Sequence, residues 1–94
     1  MEITEIQIKL HDSDKLRAFA SLTLSNAFVV RGIKIIEGSH RTFVAMPARS
    51  GPEGRQSDIC HPLDQPTRTW IEEAILAAYR KVLDTETVGA PVDR

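Results

Sequence analysis

Cysteine, aromatic rings, long apolar runs and a dominant charge are all scarce in this 94-residue chain. Each scarcity removes a class of protein. Cys60 is the single cysteine, which excludes an intrachain disulfide and a cysteine-rich zinc site and fits a reducing compartment. No apolar run reaches the roughly 18 residues of a membrane span, and no basic segment leads into an apolar stretch and a small-residue cleavage site. The expectation is a cytoplasmic protein without membrane insertion. With 12 Lys and Arg against 13 Asp and Glu, the formal charge is −1, so the chain is not globally basic in the manner of a histone. The aromatic complement is Phe19, Phe28, Phe43, Trp70 and Tyr79. In a small domain such rings read as packing residues before base-stacking ones.

What the chain does have is 41% apolar residues in a length that accommodates one core. A domain this short buries a small share of its surface, and a second copy is a natural way to complete its core. Ile6, Ile8 and Leu10 alternate with Gln7 and Lys9, the period of a half-buried strand, before a polar turn at His11 to Asp14. Leu16, Ala18, Ala20, Leu22 and Leu24 alternate in the same way and form its simplest hairpin partner. After a break at Ser25-Asn26, the β-branched run Phe28 to Ile36 predicts a third strand, and Thr42 to Met46 a fourth. Pro47 ends that strand or lies at an edge. Gly51, Pro52 and Gly54 make Ala48 to Gln56 an exposed loop or a wide hairpin tip, with a short fifth strand over Ser57 to Cys60.

The period changes beyond His61-Pro62. Ile71, Ala74, Ile75, Ala78 and Val82 fall at helical spacing, with Trp70, Ala77 and Leu83 widening the apolar sector. Asp64 is placed to cap this helix, Pro66 fits its first turn, and Glu72-Glu73 with Arg80-Lys81 suit its dipole. The fold class expected is α+β: an antiparallel sheet of four to five strands and a C-terminal amphipathic helix. One domain spans residues 1–83, and residues 84–94, without apolar period, read as a flexible tail.

Charge is unevenly distributed despite the small net value. Residues 31–55 hold Arg31, Lys34, Arg41, Arg49 and Arg55 against Glu37 and Glu53. Such a patch suits phosphates, although basic side chains also simply solvate an open sheet face. Chemistry is poorly served. The Gly51 to Gly54 segment lacks the spacing and lysine of a phosphate loop, and His11, His40 and His61 have no ligand-spaced partners except Asp58. Ser57, Asp58 and His61 sit in too short a strand-like window to converge as a triad. The expectation is a protein that is not an enzyme and uses no metal or cofactor.

The stretches FVVRGIKIIEG at Phe28 to Gly38 and FVAMPAR at Phe43 to Arg49 carry a family resemblance. Pro52, Gly54, Asp58-Ile59, His61-Pro62, Thr67-Arg68, Ile71, Ala74, Leu76 and Tyr79 extend it. Over residues 1–83 the chain resembles the stage V sporulation protein G (SpoVG) family of septation proteins. The resemblance implies a homodimer formed partly through a strand hairpin, and a regulator of sporulation and cell division that binds DNA and in some cases RNA. It implies nucleic-acid contacts at Arg49, Arg55 and Arg68, with Arg41 and Lys34 as weaker candidates. Ser50 stands where a further basic residue is common, which weakens phosphate attraction, and Cys60 and the Pro66 and Trp70 of QPTRTW also depart from the usual pattern. The alternative is a protein-interaction module that docks division or regulatory proteins during septum formation without touching nucleic acid.

Overall fold

A computed structural model describes the backbone of residues 1–93 and the side chains of residues 1–85. Four strands, β1 (Ile3–Leu10), β2 (Leu16–Leu24), β3 (Phe28–Glu37) and β4 (Thr42–Ala45), follow one another in an antiparallel meander of order β1-β2-β3-β4. A separate two-stranded ribbon joins β5 (Ala48–Ser50) to β6 (Gln56–Asp58) through a short 3₁₀ turn at Pro52–Gly54. The chain ends with α1 (Gln65–Asp93), which lies across one face of the meander.

Alternation decides which face is covered. On β2, Ala18, Ala20 and Leu22 are buried, and across the sheet Ile33 and Ile35 of β3 and Val44 of β4 join them. Small alanines in the central strand allow the helix to approach closely, and Ile71, Ile75 and Tyr79 of α1 complete the core at four-residue spacing. Ile6 and Ile8 of β1 pack against its margin.

A bulge keeps β3 in phase with that core. Ala20 pairs with Ile33 but Leu22 pairs with Val30, so β3 spends one extra residue at Arg31-Gly32. Without it Val30 and Ile33 would point to opposite faces. The extra residue bends the strand, and Gly32 takes φ +80°, a conformation that costs a side-chain-bearing residue strain. The β2–β3 turn has a related solution: Ser25 and Asn26 both adopt φ 52°, and Ala27 N donates to Leu24 O at 2.9 Å. Two positive φ values give the twist that a hairpin needs.

Several sequence expectations are refined. β1 begins at Ile3 rather than Ile6, and the fifth strand of the sequence reading is β6, paired with β5 and not added to the main sheet. On α1, Trp70 and Ala77 do not widen the buried sector but face outward, while Tyr79 takes the core position one turn beyond Ile75. Helical geometry explains this, since residues 71, 75 and 79 define the centre of the stripe and, at about 100° per residue, residues 70 and 77 fall on the opposite side of the helix. The helix passes Leu83, where its apolar spacing ended. The tail expected over residues 84–94 lies, from residue 86 onward, outside the residues whose side chains are described.

Candidate nucleic-acid interface

The five basic candidates fall into three places. Arg49 lies on β5 opposite Ser57, and Arg55 follows the 3₁₀ turn, its carbonyl accepting from Gly51 N at 2.6 Å. Every strand residue of this ribbon is exposed. Glu53, at φ 65° in the turn, and Asp58 on β6 are the ribbon's acidic side chains.

Arg68 and Arg41 share a different place. A groove of about 640 Å³ between β4 and the first turns of α1 is lined by Arg41, Arg68, Gln65, Thr69, Glu72 and Glu73, with Phe43, Val44 and Leu76 beneath. Its geometry starts with the cap: the Asp64 carboxylate accepts from Thr67 N at 2.8 Å and fixes where the helix begins. The Thr67 hydroxyl and then its N–H hold the Asp64 carboxyl below its ordinary acidity range. One turn past Arg68, Glu72 Oε2 accepts from Val44 N at 3.1 Å and from Arg41 Nη2 at 3.2 Å.

That arrangement corrects the reading of Glu72 as a dipole partner only. Val44 presents its N–H on the outer side of edge strand β4, where no further strand pairs among the described residues, and Glu72 accepts from it. Arg41 is consequently committed to a carboxylate, whereas Arg49, Arg55 and Arg68 form no ion pair among the described residues. Lys34 stands alone. It projects from β3 between the buried Ile33 and Ile35, and so occupies the sheet face away from the helix and from Arg68.

Asp58 is exposed on β6, and the His61 ring contacts the Pro62 carbonyl at 2.9 Å through Nδ1. Sequence reasoning missed Glu72's contact with Val44 because its signal is tertiary. An acidic residue near a helix start carries the same local pattern whether it faces water or a strand edge. Among the described residues no helix is long and apolar enough to cross a membrane.

The SpoVG family model matches residues 1–81. Relatives called "Putative septation protein SpoVG" include one from Bdellovibrio bacteriovorus, 46% identical over 83 residues, covering 88% of this chain and 77% of the relative. One from Thermoanaerobacter sp. is 45% identical over 87 residues, covering 92% and 95%. One from Clostridium perfringens is 47% identical over 83 residues, covering 87% and 92%. A match running from the first strand well into the helix, at this level of identity, leaves no part of the domain unaccounted for, and the chain belongs to the SpoVG family.

Proposed function

We propose that this protein is a homodimeric regulator of septation and sporulation that acts by binding nucleic acid. The observation that carries the reading is the set of uncommitted cations: Arg49 and Arg55 on an exposed ribbon, and Arg68 at the helix start, have no carboxylate partner among the described residues. Free guanidinium groups on a projecting ribbon suit phosphate contacts, which give broad, salt-sensitive affinity with little sequence preference. The names of the relatives support the link to septation. A two-stranded ribbon with all six strand residues exposed is marginal by itself, which supports a second copy packing on it.

Titration of a DNA duplex at two salt concentrations tests the reading. The double variant Arg49→Ala/Arg55→Ala is expected to bind more weakly and to lose about two units of salt slope, near one per phosphate contact removed. Unchanged affinity and slope would overturn it. Sedimentation at micromolar concentration tests the dimer, and a monomer mass would refute it.

A protein-docking role has one specific observation in its favour. An apolar cavity of about 330 Å³ between the sheet and the helix start, lined by Leu22, Val30, Met46, Leu63 and Ile71 among others, lies open, and Leu63 is 91% exposed at its rim. Retained binding of division proteins by a form with no duplex affinity at low salt would favour that role.

A further inference from the structure

We propose that the uncovered face of the four-stranded sheet is a second binding site, specific for single-stranded nucleic acid, with Phe19 as its stacking platform. The inference rests on the nucleic-acid reading above and adds a strand class and a surface to it. Register sets the geometry. Lys9 of β1 pairs with Phe19 of β2, and Phe19 pairs with Lys34 of β3, so one ring is flanked on both sides by an ammonium group in a single row across the sheet. Adjacent strands lie about 4.8 Å apart, which brings both cations within reach of phosphates on either side of a base stacked on the ring.

Burial fixes the face. Ala18 and Ala20 on either side of Phe19, and Ile33 and Ile35 on either side of Lys34, all point to the helix and are 3% exposed or less. Phe19 and Lys34 therefore point away from it, to the face opposite α1. The His11 ring meets Phe19 in a T-shaped contact at 5.4 Å between centroids.

A groove of about 670 Å³ runs beside the ring, lined by Lys9, Gln7, Ser21, Thr23, Arg31 and Glu5 among others. Arg31 reaches it because the Gly32 bulge opens β3 there. The charges are complementary to a polyanion: Lys9, Lys34 and Arg31 make no ion pair among the described residues, and Glu5, the one acidic lining residue, accepts from Gln7 Nε2 at 2.9 Å. Lys9, Lys34 and Arg31 thus give this face of the central strands three basic side chains without an ion-pair partner among the described residues. A duplex hides its base faces, whereas a single strand offers them for stacking, so the row selects unpaired nucleotides.

Fluorescence anisotropy with an oligo(dT) of about 12 nucleotides, a length within the footprint of small single-strand binders, tests the site. Phe19→Leu keeps the apolar volume and removes the ring, and is expected to weaken oligo(dT) binding roughly tenfold, with Phe19→Tyr close to wild type. Lys9→Gln/Lys34→Gln should reduce the salt slope by about 1.4. Duplex affinity should stay unchanged in Phe19→Leu and Phe19→Tyr. Because the contacts use base faces and phosphates, oligo(U) of equal length should bind as oligo(dT) does, and binding of the ribonucleotide alone overturns the proposal. If oligo(dT) binding survives Phe19→Leu but falls in Arg49→Ala/Arg55→Ala, the sheet-face site is overturned while the nucleic-acid reading stands. If neither oligonucleotide nor duplex binds the wild-type protein, that reading itself fails. A change in sedimentation mass on Phe19→Leu would mark the face as an interface between copies, and would also overturn the site.

Discussion

The meander under its helix and the β5–β6 ribbon obey the same pairing rules but are built for different ends. In the meander, alternation places Ala18, Ala20, Leu22, Ile33 and Ile35 under Ile71, Ile75 and Tyr79, and burial holds the strands together. The ribbon has no such face: Ala48, Arg49, Ser50, Gln56, Ser57 and Asp58 are all exposed, held by ladder bonds, turn geometry and a hydrogen bond from Gln56 Nε2 to Ser50 Oγ at 2.7 Å. Buried stabilising contacts are thereby concentrated in the meander and its helix. Substitutions on the covered face of the first region should unfold the protein, and substitutions in the second should leave it folded.

The strongest way to break that contrast is to attack the centre of the covered face. Ile75 is fully buried, and Ile75→Ala should destabilise the fold by about 2–5 kcal/mol in urea unfolding, because lost transfer energy and a residual cavity add. Arg49→Ala/Arg55→Ala should shift the same curve by no more than about 0.5 kcal/mol, the usual size for exposed sites. A ribbon variant as damaging as Ile75→Ala would show that the ribbon belongs to the folding unit.

A smaller effect sits where strand edge and helix meet. Glu72→Ala leaves Val44 N–H without its acceptor and releases Arg41, with an expected cost of about 1–3 kcal/mol for an orphaned backbone donor. Glu72→Gln keeps an oxygen for Val44 while removing the charge, and should recover most of that loss. Stability equal to wild type in Glu72→Ala would mean that water replaces the carboxylate at no cost. Gly32→Ala tests the bulge in the same way. At φ +80° an alanine is strained by about 1–2 kcal/mol, and since the nearest atom to its new Cβ would be Pro47 Cβ at 3.9 Å, the whole effect is conformational.

The same two regions explain what was legible in the sequence. Period-two alternation at Leu16 to Leu24 declares its buried face without help, and so do the β-branched run of β3 and the four-residue stripe through Ile71 and Ile75. The ribbon was visible only as glycine, proline and a loose strand signal, because an element exposed on both faces has no alternation to display. The bulge at Arg31-Gly32 was hidden for another reason: its residues sit inside a run that reads as regular strand, and only the partner strand reveals the extra one. Among the basic candidates, sequence identified the residues but not their grouping. Arg41 lies 31 positions from the carboxylate that holds it, and Lys34 is separated from Arg68 by the thickness of the sheet. Lys9, Phe19 and Lys34 likewise become one row only through strand register.

The smallest expected effect lies at the hinge between the two regions, where Asp64 ends the ribbon's return and starts the helix. Hydrogen bonds from the Thr67 hydroxyl and N–H favour its ionised form, so its folded pKa lies below the ordinary 3.8. A group depressed in this way stabilises the fold fully above its unfolded value, and the contribution disappears as pH falls through the lower folded value. The melting temperature of Asp64→Ala should therefore lie below that of wild type at neutral pH, with the gap narrowing progressively once pH drops beneath 3.8. Asp64→Asn offers Thr67 N–H an acceptor that does not titrate, and should stay near wild type at neutral pH while removing this component of the acid dependence. A gap between wild type and Asp64→Ala that stays constant through that range would mean that the carboxylate's charge contributes nothing beyond its shape. The cap would then fix the start of the helix by geometry alone, with no contribution from the helix dipole.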